Sequence, residues 1–176
     1  RNQWWDVWDQ FKTHRGALVG MIVFLLIVFF CFVGPYLWPY SATYIDIRSR
    51  NQGFTLAHPF GTDQLGRDIF ARMMKGGQVS LAVGIVAMIL SVFLGTLIGV
   101  LAGYFRRADG LLMRLTDLFL ALPLLPLLLV MSMLFRQPLS TIFGVETGIF
   151  LLIVTAIALT SWMRTARVVR GDVLAL

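Results

Sequence analysis

The sequence predicts an all-α fold: a polytopic transmembrane helix bundle with four spans. Two observations carry this. The chain is 58% hydrophobic with a mean hydropathy of +0.80, whereas soluble domains are roughly half apolar. Its charged residues, 14% of the total, fall well short of the roughly 25% usual in globular chains. They also cluster at the N-terminus, in one central segment and in short groups between apolar runs. That placement marks a membrane protein rather than a greasy soluble one.

The net charge of +6 does not indicate a nucleic-acid partner, because no basic stripe with interleaved aromatics is present and the arginines flank apolar runs, as topology signals do. Cys31 lies inside an apolar run and is the single cysteine, so it reads as a lipid-facing or packed small residue. His14 and His58 have no ligand spacing around them. No metal and no cofactor is expected.

Residues 1–40 form an N-terminal interfacial segment and the first span. Trp4, Trp5, Trp8 and Phe11 fall near one helix face. Such a segment either lies in the headgroup layer, where indole rings are accommodated, or packs on the rest of the protein. Ala17–Gly34 then runs 18 residues without charge, close to the roughly 20 that cross a bilayer. Lys12, His14 and Arg15 precede it, and Tyr36, Trp38 and Tyr40 follow it. A cleaved signal peptide is the competing reading. The run is long for one, and no Ala-x-Ala site follows.

Residues 41–78 are the extended polar stretch, expected outside the cytoplasm and to contain a short amphipathic helix. Residues 79–176 hold three further spans: Val79–Phe105, Leu118–Phe135 and Thr147–Met163. A basic loop, Arg106–Gly110, and an outside loop, Arg136–Glu146, separate them. With the N-terminus inside, nine cations (Arg1, Lys12, Arg15, Arg106, Arg107, Arg114, Arg164, Arg167, Arg170) lie inside. Six (Arg48, Arg50, Arg67, Arg72, Lys75, Arg136) lie outside. The short inside loops are the denser in charge, which favours that orientation.

Four features could carry function. Ala87, Ser91, Gly95, Gly99 and Gly103 recur every four residues and form one small-residue stripe on the second span. In lipid such a stripe admits a close helix neighbour, from this chain or a partner. Pro123 and Pro126 should kink the start of the third span, either as part of a pathway or as a tolerated bend. Arg114 and Asp117 stand three apart at its cytoplasmic mouth and can pair on one face. In the stretch His58–Leu81, Asp68 can cap a short helix and pair with Arg72 four residues on. Gly76 and Gly77 are expected to break that helix before the second span. No carboxylate pair, nucleophile–base set or phosphate loop is visible, so the chain is not expected to be an enzyme.

That same stretch, HPFGTDQLGRDIFARMMKGGQVSL, closely resembles a signature of the dipeptide/oligopeptide and nickel importer permeases of the ABC transporters, the C-type permease subunit. Gly61, Thr62, Asp63, Gly66, Arg67, Asp68 and Arg72 match it, with His58, Pro59, Phe60, Gly76, Ser80 and Leu81. Two more family stretches are matched at Gly95, Gly99, Gly103 and Tyr104, and at Met113, Arg114, Asp117, Leu120, Ala121 and Pro123. The closing RVVRGDVLAL resembles the lead-in to the family's cytoplasmic coupling loop. The resemblance covers nearly the whole chain.

It implies a six-span permease of a bacterial inner membrane, of which these are the first four spans. The coupling loop would follow Leu176, so the sequence reads as a fragment missing both ends. The implied partners are a homologous permease subunit, two ATPase subunits, an extracytoplasmic substrate-binding protein and membrane lipid. Hydrolysis of ATP would reside in the separate subunits. Peptide, nickel and glutathione systems share these stretches, so the cargo stays open. A non-transporting membrane scaffold would explain the hydropathy and the stripe but not three ordered signatures. An integral-membrane enzyme would need a buried acid, a His cluster or a nucleophile.

Overall fold

The computed structural model describes residues 3–175; Arg1, counted above among the inside cations, and Leu176, which closes the last quoted stretch, lie outside the described residues. The helices are α1 (Gln3–Thr13), α2 (Arg15–Phe32), α3 (Gly34–Leu37), α4 (Ile69–Tyr104), α5 (Arg106–Ala121), α6 (Leu124–Phe143) and α7 (Val145–Ala175), with a 3-10 turn at Ile47–Ser49. Four of them, α2, α4, α6 and α7, are long and apolar enough to cross a membrane. The all-α bundle with four spans expected from hydropathy is therefore what the chain forms. It divides into two compact units, residues 1–81 and 82–176.

In the first unit α2 exposes Phe24, Leu25 and Leu26, as a helix surrounded by lipid must. Cys31 is its buried residue, so the packed reading of the cysteine holds over the lipid-facing one. The partner across from it is Gly77 of α4, where a Cβ would collide with the Cys31 sulfur. The Gln78 amide donates to the Cys31 carbonyl at 2.7 Å, satisfying one of the carbonyls that a helix end leaves without an internal partner. Gly34, which opens α3, meets the Met74 thioether in the same way, 2.8 Å from where its Cβ would stand.

The expected helix break at Gly76 and Gly77 does not occur. α4 runs unbroken through both for 36 residues, about 54 Å at 1.5 Å per residue. The intrinsic cost of a helical glycine is only about 1 kcal/mol, and the close approach of Cys31 to Gly77 outweighs it. The two glycines therefore differ. Gly76 has open space where a Cβ would go, so Gly76→Ala should stabilise by about 0.5–1 kcal/mol. Gly77→Ala should destabilise, and Cys31→Ala should relieve part of that loss. Thermal unfolding of the three variants in detergent checks the order, and an equal effect of both glycine substitutions contradicts it.

In the second unit four boundaries are corrected. The expected third span, Leu118–Phe135, is interrupted at Leu122 and Pro123 rather than bent within one helix. α5 ends at Ala121, Pro123 caps α6, and Pro126 sits in the first turn of α6. There its missing N–H is one that no helical carbonyl needs. The proline inside a helix is instead Pro138, which leaves the Leu134 carbonyl without its usual donor. The basic stretch from Arg106 to Gly110 is the opening of α5 rather than a loop. The outside loop Arg136–Glu146 is also mostly helix, since α6 continues to Phe143 and Gly144 alone separates it from α7. α6 and α7 thus form a hairpin, closely packed where Gly148 comes within 2.6–2.8 Å, measured from an ideal Cβ, of the Leu139 and Ser140 backbone. α7 then continues past the expected end at Met163 and carries Arg164, Arg167 and Arg170 on the same helix.

Candidate functional site

The signature residues 58–72 build a polar knot within the first unit. Two short links close the segment on itself: Thr62 and Asp68 bridge antiparallel, and the Asp63 N–H donates to the Arg67 carbonyl at 3.0 Å. Both turns need glycine. Gly61 and Gly66 stand at φ +75°, and a Cβ on either would collide with a backbone carbonyl, of Gln52 and Asp46 respectively. No other residue combines that φ with that clearance.

Asp63 is the centre of the knot. Its carboxylate accepts from the Leu65 and Arg67 N–H groups, both at 2.9 Å, from Arg67 Nε at 2.8 Å and from Arg72 at 2.5 Å. Arg72 therefore pairs with Asp63 and not, as its spacing suggested, with Asp68. Thr62 donates to the Ser49 carbonyl and accepts from the Gln52 N–H at 3.0 Å. Arg50 reaches the Gln64 carbonyl at 2.7 Å. Partial burial pushes the Asp63 carboxyl up, but the Arg67 and Leu65 N–H groups and the Arg67 guanidinium outweigh it and hold the pKa at about 2, against an ordinary 3.8.

A depressed folded pKa means that the ionised form stabilises the fold above about pH 4, and that this contribution is lost as pH falls from 3.8 towards 2. Acidification through that window should therefore lower the unfolding temperature, and Asp63→Asn should remove most of the dependence. Asp46 keeps a residue of it, since the Ser49 hydroxyl and the Arg48 N–H lower its carboxyl too. A variant with the full wild-type pH profile contradicts this.

Asp68 does different work. Its side chain, 1% exposed, caps α4 by accepting the Ala71 N–H at 3.1 Å. The same carboxylate accepts the Trp38 indole N–H at 2.6 Å and meets His58 Nδ1 at 3.1 Å. Aromatic rings close over it. Phe70 packs edge-on to Trp38 at 4.7 Å and to Phe30 at 5.1 Å, and Tyr40 lies 4.5 Å from His58. The aromatic belt that hydropathy placed after α2 is in part this half-buried scaffold. At the start of the chain Trp4 and Trp5 are 83% and 64% exposed, while Trp8 stacks on Phe11 at 5.8 Å under the Lys12 ammonium.

In the second unit the small-residue stripe lies against α7. A Cβ on Gly95 would stand 2.7 Å from the Trp162 carbonyl oxygen. One on Gly99 would stand 2.7 Å from that of Ala166, and one on Gly103 2.7 Å from Val173. Ala87 and Ser91 continue the stripe as buried residues. Beside it Trp162, Met163 and Ala166 form a core with Leu94, Ile98 and Phe119. α5 is fastened to α7 by two ion pairs. Asp109 receives two bonds from Arg170, at 2.5 and 2.6 Å, and that guanidinium holds its carboxyl below the usual range. Asp117 pairs with Arg167. The expected Arg114–Asp117 pair does not form, because Asp117 is turned to α7. The partners lie 50 and 61 residues apart in sequence, so no local spacing points to them.

The chain matches two family models in order: the N-terminal transmembrane domain of oligopeptide transport permease C over residues 2–58, and the binding-protein-dependent transport system inner membrane component over residues 95–176. It is similar along nearly its full length to curated bacterial permeases. The chain belongs to the binding-protein-dependent transport permease family. A dipeptide transport system permease protein of Bacillus subtilis is 32% identical over 96% of this chain and 50% of its own length. A glutathione transport system permease protein of Pectobacterium atrosepticum is 34% identical over 100% of this chain and 56% of its own. An oligopeptide transport system permease protein of B. subtilis is 30% identical over 98% and 53%. The chain thus spans about half the length of the curated relatives it matches. The chain is a multi-pass inner-membrane protein.

Proposed function

We propose that the chain is the membrane-spanning part of a permease subunit in an ATP-driven importer of peptides or a related small solute. It would pair with a homologous permease, two ATPase subunits and an extracytoplasmic binding protein. The observation that carries this reading is the full-length similarity to permeases of dipeptide, oligopeptide and glutathione systems. ATP hydrolysis is assigned to the partners.

The physical features fit a part that moves as a rigid lever. The glycine stripe lets α4 and α7 touch backbone to backbone, and the Asp109–Arg170 and Asp117–Arg167 pairs bind α5 to α7. Force applied near the arginines of α7 would then reach α4 and α5 together. The knot around Asp63 and Asp68 braces the outer face, beside which a loaded binding protein would dock. The exposure of Trp4 and Trp5 supports α1 as a segment of the headgroup layer. In a host stripped of its own peptide permeases, the complete operon should restore accumulation of a labelled dipeptide, and the operon lacking this gene should not. Unchanged uptake without the gene would leave the scaffold reading.

A further inference from the structure

The sequence places Arg136 in an outside loop, but in the structure it is part of α6, eight residues before the Gly144 turn. At 1.5 Å per residue that is about 12 Å below the tip of the hairpin, within the reach of a hydrocarbon core about 30 Å thick. Arg136 is the single cation of α6, and it takes part in no ion pair among the described residues. A guanidinium at that depth is costly unless it meets water or an anion.

The surroundings are built unequally. Arg136 and Ser132 are shared by two adjoining clefts of the second unit. One, about 450 Å³, is walled by Gln137 and Ser140. The other, about 370 Å³, is walled by Leu128, Ile153 and Ile157. No carboxylate lines either. Ser132, Arg136 and Ser140 follow at four-residue intervals, so they form one polar row on α6, with Gln137 beside it. The row is the polar wall, and the aliphatic cleft is its apolar neighbour.

We infer that Arg136 is a cargo-recognition residue of the translocation pathway, binding the free α-carboxylate of a peptide. The planar guanidinium fork matches a carboxylate with two parallel hydrogen bonds. Ser132, Gln137 and Ser140 supply donors and acceptors for the adjoining peptide groups, and the aliphatic cleft takes an apolar C-terminal side chain. This rests on the permease reading above and adds to it a chemical criterion for the cargo.

The test uses the complete transporter in proteoliposomes, with the binding protein loaded to saturation with labelled dialanine or with its C-terminal amide, so that binding-protein affinity drops out. The wild type should import the free acid faster than the amide. Arg136→Gln should slow the acid by about tenfold, the worth of one charge-assisted hydrogen-bond pair, and bring the two cargoes level. Arg136→Lys should keep part of the preference, and all three should retain ATPase stimulation by the binding protein. An unchanged acid-to-amide ratio in Arg136→Gln overturns the proposal. So does an equal loss of both cargoes, or failure of the variant to assemble, since each assigns Arg136 to an ion pair with a neighbouring subunit. A wild-type complex that imports neither cargo with ATP overturns the permease reading itself, and the Arg136 proposal with it.

Discussion

Asp68→Ala should be the most damaging single substitution in the first unit. It removes the cap of α4, worth about 1 kcal/mol, and leaves the half-buried Trp38 indole N–H without its acceptor, at about 1–3 kcal/mol. His58 loses its partner at the same time. The sum is about 2–4 kcal/mol, enough to lower the unfolding temperature by about 10 °C in a chain of this size. Asp68→Asn keeps one acceptor oxygen and should cost clearly less. His58→Ala removes a single partner at the edge of the cluster and should cost least. Thermal unfolding followed by tryptophan fluorescence reads all three, because Trp38 itself reports the loss. Equal destabilisation by Asn and Ala would contradict this and mean that the carboxylate's charge, rather than an acceptor oxygen, holds the cluster.

The second large effect belongs to the stripe on α4. Gly95→Ala and Gly99→Ala drive a methyl group into the Trp162 and Ala166 carbonyls, backbone atoms that can move only if the helices separate. Overpacking of this kind costs about 1–3 kcal/mol. Gly103→Ala meets the Val173 Cβ and Cγ1 at 2.7 Å, a β-branched side chain held stiffly on its helix, and should cost a similar amount. Gly84→Ala, on the same helix with nothing within 4 Å, should be neutral or mildly stabilising. Leucine at Gly99 should abolish the packing of α4 on α7 and leave the protein aggregated after extraction. The ordering matters more than the magnitudes. Equal effects at Gly84 and Gly95 would show that helix propensity, and not contact, governs the stripe.

What the sequence disclosed follows the range of the interactions concerned. The spans were legible because the bilayer imposes a length and an apolar composition that a single stretch must satisfy alone. The stripe was legible as a stripe, since four-residue spacing is local, but its neighbour α7 was not. Turn and helix boundaries were misjudged where tertiary contact overrides local preference. Gly76 and Gly77 stay helical because Cys31 packs on the second of them. Gly144 alone makes the turn that polarity had spread over Arg136–Glu146. The ion pairs show the same division. Arg114–Asp117 and Asp68–Arg72 were the local choices, while the chain uses Asp117–Arg167 and Asp63–Arg72. Trp38 looked like an interfacial aromatic, and only the fold reveals it as the indole that holds Asp68.

We propose that a complex containing this chain moves solute across a membrane at the expense of ATP hydrolysed elsewhere. The most direct measurement is accumulation of a labelled dipeptide by proteoliposomes containing the purified complex, with the binding protein supplied outside and ATP enclosed. The account predicts accumulation above the external concentration, dependent on ATP and lost in Gly99→Leu, whose α4 can no longer follow α7. Uptake that only equilibrates, or that persists without ATP, would contradict it.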